Sequence, residues 1–217
     1  MNISYYSPEP SSGNRDRNFK YISFYTVIFI LFTVIGTLFC RGLFSKLTVS
    51  SDINSLIVSH FTGAFSQCSD LSDHIGCATA YAIPDLIVLA LIALAGFTAF
   101  SIFICSVITA VRGFTIGFCI IYLTNSINNG FIWFGGSRFG FILYLTKSAL
   151  LTVIFIYASM ICVRFSKRLR RYIKLRAAEK ETIIGGLMFY IFMLIFIATV
   201  IWAVTFAYCS LLYSVAM

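Results

Sequence analysis

The sequence is poor in charged residues. Only 11% of its 217 residues are Asp, Glu, Lys or Arg, whereas a soluble domain averages about 25%. Hydrophobic residues make up 59% of the chain. So few charges cannot cover the water-facing surface of a globular domain of this length. The composition therefore excludes a soluble fold and predicts a polytopic membrane protein with little mass outside the bilayer.

Acidic residues are scarcer than basic ones, with 8 Asp and Glu against 16 Lys and Arg. Asp85 is the one carboxylate in the long apolar segments, which argues against a proton-coupled pump and an intramembrane aspartyl protease. The two histidines, His60 and His74, share one polar segment, and no nucleophile–base spacing, phosphate loop or HExxH motif occurs. We therefore predict no catalytic residue, cofactor or metal. The net charge of +8 flanks apolar segments, so no nucleic-acid partner is predicted.

A cleavable secretion signal and an internal repeat are also missing. Residues 1–20 are polar and are interpreted as a disordered cytoplasmic tail. The absence of a repeat weakens an inverted-repeat transporter fold. Five apolar segments remain that are long enough to cross a bilayer. We predict an all-α protein with one transmembrane domain over residues 21–217 and spans at about 21–39, 85–108, 114–134, 139–163 and 186–213.

Positive charge is concentrated between the last two spans, where only Glu179 and Glu181 oppose it. Lys and Arg in short loops mark the cytoplasmic side. We therefore predict an inner loop, a cytoplasmic N-terminus and an outer C-terminus. Phe165, Leu169 and Ile173 recur there at helical spacing, which indicates a basic amphipathic helix. Anionic inner-leaflet lipid is the predicted contact, and topological retention and a cytoplasmic protein partner are alternatives. The lipid-contact residues are Arg164, Lys167, Arg168, Arg170, Arg171 and Lys174.

Residues 84–126 are almost continuously apolar, and they allow either two spans or one span with a re-entrant half-helix. If residues 41–83 lie outside and the basic loop lies inside, an odd number of crossings must separate them. The span at 139–163 supplies one, so residues 84–126 must supply two. We place the turn near Thr109–Gly113, with Arg112 at the cytoplasmic interface.

The polar segment at 41–83 carries two predictions. Apolar residues from Ile53 to Phe65 recur at helical spacing, which indicates an amphipathic helix on the outer surface or packed against the bundle. Cys68 and Cys77 lie in the same segment, where an oxidising compartment allows a disulfide. A metal site with Asp70, Asp73 and His74, or unpaired cysteines, are the alternatives.

Two features inside the spans suggest function. Lys147 is a costly cation within the fourth span. It is interpreted either as a charge in a polar cavity with Thr124, Asn125 or Asn128, or as a snorkelling side chain. Asp85 is its candidate partner. Gly113 and Gly117, next to Arg112, form a GxxxG pair that allows two helices to approach closely.

These features resemble the stage II sporulation protein M family over about residues 21–217. The resemblance is carried by Val34-Ile-Gly36-Thr-Leu-Phe at the end of the first span, the amphipathic outer segment and the basic loop. It is also carried by Arg112-Gly-Phe-Thr-Ile-Gly117-Phe and, less closely, by Asn128-Asn129-Gly130-Phe131.

The resemblance implies a non-enzymatic scaffold of a bacterial cell membrane that organises a peptidoglycan hydrolase complex in engulfment. Extracytoplasmic hydrolases or other membrane proteins would be its partners. The alternative is a transport component, either a small permease or the membrane subunit of an exporter, that uses Lys147 and the polar third span.

Overall fold

The computed structural model of the chain describes residues 12–46, 71–128, 138–175 and 180–216. These residues form five α-helices, and none of them lies in a β-strand. The helices are α1 (Ser12–Lys46), α2 (Leu71–Ala95), α3 (Ser101–Asn128), α4 (Arg138–Leu175) and α5 (Lys180–Ala216).

Each helix contains a segment long and apolar enough to cross a membrane. Helices suit a bilayer because every backbone polar group is satisfied within the segment. The prediction of about five spanning helices is therefore confirmed as far as length and composition decide it, and the arrangement fits a multi-pass membrane protein. The candidate spans are Asn18–Gly42, Ile75–Ala95, Ser101–Tyr122, Ile142–Arg171 and Ile184–Leu211.

The turn between the second and third spans corrects one prediction. It lies at residues 96–100, whereas Thr109–Gly113 falls inside α3. Gly96 N–H and Thr98 N–H donate to the carbonyls of Ala93 and Ala95, which ends α2 in a tight turn. The spans predicted at 85–108 and 114–134 therefore lie too far towards the C-terminus, although two apolar helices occupy this region as predicted.

The position of the turn also corrects the placement of Arg112. This residue lies in the middle of α3 and not in the turn between two helices. Nothing in the local sequence ends the helix there, because Gly113 continues it. From the sequence alone, an arginine within an apolar segment is interpreted as an interfacial residue unless its counter-ion is known. The counter-ion of Arg112 is Asp85, which lies on α2.

Two further predictions change at helix ends. Helix α1 begins at Ser12, so residues 12–20 are helical and not a disordered tail. Helix α4 continues to Leu175, so the residues of the predicted basic amphipathic helix, Phe165 to Ile173, are helical, but they form the end of α4 and not a separate element in a loop. At about 1.5 Å per residue, its 38 residues exceed the hydrocarbon thickness of about 30 Å. The predicted amphipathic helix from Ile53 to Phe65 lies outside the described residues.

Helices α1 and α3 pack backbone to backbone at three glycines. A Cβ added at Gly117 would overlap the carbonyl of Thr33, and one at Gly36 would overlap the carbonyl of Phe114. A Cβ at Gly113 would lie 2.6 Å from the carbonyl oxygen of Phe29. We call this contact the glycine seam. It fixes which side of α3 faces α1, and hence which side faces the rest of the bundle.

One end of the bundle gathers the basic residues of α4. Ser166 of α4 donates a hydrogen bond to the carbonyl of Thr98 in the 96–100 turn at 2.7 Å. Lys167 contacts the hydroxyl of Tyr21 and lies 4.7 Å above its ring. Phe165 stacks on Tyr190 of α5 at 4.1 Å. We call this the basic end, where α1 and α5 begin, α4 ends and α2 turns into α3.

A continuous apolar core fills the bundle on the side of the basic end. It contains side chains from all five helices, and it includes the thiols of Cys105 and Cys162, which lie 3.6 Å apart. Its buried members include Tyr25, Leu89, Ile92, Phe155, Val163 and Ile201. We call this region the apolar half. The other half of the bundle is built differently.

Candidate functional site

A cavity of about 430 Å³ lies between α2, α3, α4 and α5. Its volume is within the range of about 300–1,000 Å³ that is usual for small-molecule sites. Aromatic, hydroxyl and charged side chains share the lining, and we call it the charged cavity. It is lined by Tyr81, Pro84, Asp85, Arg112, Thr115, Ile116, Phe118, Cys119, Tyr122, Tyr144, Lys147, Ser148, Leu151 and Tyr208.

Each wall of the cavity is a stripe along one helix. Residues three, four or seven apart share a face of an α-helix. Tyr81 and Asp85 therefore project together from α2, and Arg112 and Cys119 project together from α3. On α3 the glycine seam occupies a different face, against α1, and the guanidinium of Arg112 contacts α2 and α4 through Asp85 and Phe155.

Asp85 holds both cations of the cavity. Arg112 Nη1 lies 2.6 Å from Asp85 Oδ1, in a charge-assisted hydrogen bond. Lys147 Nζ lies 3.6 Å from Asp85 Oδ2. The exposed fractions of the three side chains are 7% for Asp85, 11% for Lys147 and 21% for Arg112. One carboxylate therefore serves two cations that are largely removed from solvent.

The depth of these charges follows from helix geometry. Asp85 precedes the end of α2 at Ala95 by ten residues, and Arg112 follows the start of α3 at Ser101 by eleven. At about 1.5 Å per residue, both lie about 15 Å from the basic end. The hydrocarbon core of a bilayer is about 30 Å thick. A membrane centred on the bundle would therefore contain Asp85 and Arg112 near its middle, where ionised side chains are rare and mark function.

Aromatic rings cover the two cations. The guanidinium carbon of Arg112 lies 4.9 Å from the ring centroid of Phe155. Lys147 Nζ lies 5.2 Å from the ring of Tyr208 and 6.0 Å from that of Tyr81. Such contacts stabilise a desolvated cation by about 2 kcal/mol. Phe155 belongs to the apolar core, so Arg112 lies at the boundary between the apolar half and the charged cavity.

The cavity offers hydrogen bonding but no evident metal site. Among the described residues, no three His, Cys, Asp or Glu side chains lie close enough to hold a metal ion. Arg112 Nε is buried and lacks a hydrogen-bond partner within the described structure. The lining supplies cations, hydroxyls and aromatic faces that can contact a bound molecule.

Lys147 and Asp85, singled out from the sequence, thus meet in the structure. The outcome is different for the third-span residues that were predicted as neighbours of Lys147. Thr124 donates a hydrogen bond to the carbonyl of Ile120 at 2.7 Å, and the side chains of Asn125 and Asn128 lie outside the described part of the chain. Gly113 and Gly117 lie in the glycine seam against α1.

The cysteine and lipid predictions are described in part. Cys77 is disulfide-bonded, whereas Cys68 lies outside the described residues, so their pairing stays a prediction. The basic residues from Arg164 to Arg171 lie on the last turns of α4, and Arg168, Arg170 and Arg171 are exposed. The side chain of Lys174 lies outside the described residues.

Sequence reasoning missed the aromatic walls. Tyr81, Tyr144 and Tyr208 appear in the sequence as ordinary members of apolar segments. A usable signal is the helical spacing of polar residues within a span. Tyr144, Lys147 and Ser148 stand at i, i+3 and i+4, which marks one polar face on an otherwise apolar helix.

No protein-family model, curated protein or solved structure matches this chain. The resemblance to the stage II sporulation protein M family therefore stays a prediction.

Proposed function

We propose that this protein is a component of a membrane transport system and that the charged cavity is its solute-binding site. The observation that carries the proposal is the Asp85–Arg112–Lys147 cluster beside a cavity of about 430 Å³. Charges at the centre of a bilayer cost at least about 2.5 kcal/mol each on insertion scales. Packing alone would be served as well by apolar side chains, so a cluster of this kind supports a binding role.

The asymmetry of the bundle supports transport. The apolar half closes the path from the cavity towards the basic end, with Phe155 directly against Arg112. The charged cavity occupies the opposite half. A solute site closed on one side by a packed core is the arrangement expected of one state in an alternating-access cycle, in which the core must part for the solute to continue.

The orientation belongs to the same proposal. The exposed arginines at the end of α4 support a cytoplasmic position for the basic end, because the positive-inside rule favours Lys and Arg on that side. The N-terminus is then cytoplasmic and the C-terminus lies outside, in a bacterial cell membrane. Arg168, Arg170 and Arg171 would contact anionic lipids of the inner leaflet. The amphipathic outer helix from Ile53 to Phe65 would lie at the opposite membrane surface.

Cys119 provides the test, because it is a free, half-buried thiol that lines the cavity. The protein is placed in sealed vesicles, and a membrane-impermeant methanethiosulfonate reagent is added on one side or the other. Transport requires that Cys119 react from both sides. The buried thiols of Cys105 and Cys162 serve as internal references in the apolar core, and Cys119→Ser identifies the modified site by mass.

Two results would contradict the proposal. Reaction from one side alone would indicate a binding pocket without passage, and protection from both sides would indicate a polar core sealed for structural reasons. Access from each side, abolished by Cys119→Ser, is the expected result.

The scaffold function that the family resemblance implies is the second hypothesis, and its discriminating experiment is different. Crosslinked pull-down from native membranes should recover a peptidoglycan hydrolase if the protein organises such a complex. Lys147→Met should leave that recovery unchanged, because Lys147 lies inside the bundle. A transport component should instead lose solute binding on this substitution at normal protein abundance.

A further inference from the structure

The charge balance of the cavity indicates what kind of solute it takes. Its lining contains two cations, Arg112 and Lys147, and one carboxylate, Asp85. With all three side chains ionised, the net charge of these lining residues is +1. An uncompensated charge inside a low-dielectric bundle is strongly unfavourable. A bound anion would bring the sum to zero without displacing the existing ion pair.

The hydrogen-bond donors point the same way. Arg112 has five N–H donors, and its bond to Asp85 uses Nη1. Its Nε is buried with no acceptor among the described residues. Lys147 Nζ stands 3.6 Å from Asp85, beyond good hydrogen-bond distance. Both cations therefore keep donors available for a second acceptor while Asp85 stays in place.

The walls constrain the rest of the solute. The rings of Tyr122, Tyr144, Tyr208 and Phe118 and the side chain of Leu151 line a space far larger than an inorganic ion. An ion alone would leave those walls without contacts. An apolar or aromatic body attached to the charged group would fill them, as in most small-molecule sites, where apolar walls surround a few polar groups.

The same walls disfavour a cationic solute. Aromatic cages recognise ammonium groups through ring faces, but Lys147 already lies over Tyr81 and Tyr208. A second ammonium would meet both this lysine and Arg112. A dianion is also disfavoured, since it would leave the cavity with a net charge of −1.

We infer that the charged cavity binds a monoanion that consists of one oxyanion group, a carboxylate or a phosphodiester, on an apolar body. The oxyanion is held by Arg112 and Lys147, and the tyrosine rings contact the body. This inference rests on the proposed function, since it names the class of solute for the same cavity. A soluble organic acid and an anionic lipid present the same chemistry, and the experiment separates them.

The first arm uses soluble probes of one shape and three charges. The full chain is placed in phosphatidylcholine nanodiscs and titrated calorimetrically with benzoate, benzamide and benzylamine. Benzoate should bind at least about tenfold more tightly than either analogue, a difference of about 1.4 kcal/mol. Lys147→Met should weaken benzoate binding at least about tenfold. Lys167→Met removes a cation from the same helix outside the cavity and should leave benzoate binding unchanged.

The second arm tests the bilayer as the source. Nanodiscs with increasing phosphatidylglycerol should compete with benzoate in the wild-type chain if the natural monoanion is a lipid. Lys147→Met should remove the part of lipid binding that involves the cavity. An absence of competition, with benzoate binding intact, would assign the site to a soluble organic acid and still support the inference.

A third variant is expected to gain stabilisation by the ligand, a result that simple misfolding cannot produce. Asp85→Asn raises the charge of the lining to +2, so benzoate should raise its melting temperature more than that of the wild-type chain. Equal or smaller stabilisation of Asp85→Asn would contradict the inference. Tighter binding of benzylamine or benzamide, lost in Lys147→Met, would overturn the anion assignment while leaving a solute-binding cavity. Failure of benzoate and phosphatidylglycerol to bind would also overturn it, whereas the accessibility of Cys119 tests the proposed function separately.

Discussion

The two halves of this bundle differ in how they are filled. Towards the basic end, side chains such as Tyr25, Ile92 and Phe155 pack into a continuous apolar core. In the other half, Asp85 and its two cations adjoin a cavity of about 430 Å³. The four helices that line the cavity also contribute side chains to the apolar core, so helix length and hydrophobicity do not cause the difference. It arises from a few polar residues at helical spacing, and it separates a part that holds the bundle together from a part suited to binding.

The charged half should depend most strongly on Asp85. Asp85→Ala leaves Arg112 and Lys147 without their shared carboxylate, and removing one partner of a buried ion pair costs about 3–5 kcal/mol. We expect the largest loss of stability of all the substitutions considered, measured by SDS titration of the detergent-solubilised protein. Lys147→Met should have the opposite sign, or no effect, because Arg112 and Asp85 remain paired. A destabilisation by Lys147→Met equal to that of Asp85→Ala would contradict the inference that the cavity lining carries an excess positive charge.

Substitutions in the glycine seam should cause the next largest loss of stability, since the seam fixes how α3 presents Arg112 to the bundle. Gly117→Ala places a Cβ against the backbone of Thr33, which cannot move as a side chain would. Overpacking costs about 1–3 kcal/mol, and we expect the upper part of that range. Gly185→Ala is the matched control, because no atom lies within 4 Å of the added Cβ, and Ala is the better helix former. Equal effects of the two substitutions in the same SDS titration would argue against close packing of α1 and α3.

The apolar half should respond to cavity formation. Phe155 is 5% exposed and Phe103 is 70% exposed. Phe155→Ala should destabilise the protein by about 2 kcal/mol, because the cavity left behind loses packing contacts. The transfer of the apolar side chain adds little to this cost, because the alternative environment is lipid and not water. Phe103→Ala should have almost no effect. Comparable losses in thermal melting of the two variants would show that the apolar half is not a packed core.

The basic end should show the smallest effect on stability. Arg168, Arg170 and Arg171 are exposed, so their replacement by Gln should leave the melting temperature unchanged. Binding to vesicles rich in anionic lipid should weaken by about 1 kcal/mol per arginine. A stability loss comparable to that of Asp85→Ala would remove the distinction between exposed and buried positive charge.

Much of the architecture could be predicted from the sequence, but the turn could not. Five apolar helices were recognisable because a bilayer requires length and hydrophobicity, and the sequence shows both directly. The turn was misplaced because Arg112 was treated as an interfacial charge. The tight turn at residues 96–100 falls within an unbroken apolar run and carries no charge to mark it.

The candidate site was predictable only in fragments. Lys147 and Asp85 stood out singly, because an ionisable residue in an apolar segment is conspicuous. Arg112 was noticed but placed in a turn, whereas it lies inside α3. The tyrosines that form the walls gave no individual signal, since an aromatic residue in a span is ordinary until its neighbours are known.

The sequence by itself determined that the described part of this chain forms five helices long and apolar enough to cross a membrane, and where its positive charge accumulates. These properties depend on composition and spacing along one chain segment at a time. Only the tertiary structure decided that Asp85, Arg112 and Lys147 share one cavity. Their separation in sequence is large, and the attraction that pairs them acts between atoms a few ångströms apart. Which charges meet depends on helix packing, and the glycine seam sets the direction of Arg112.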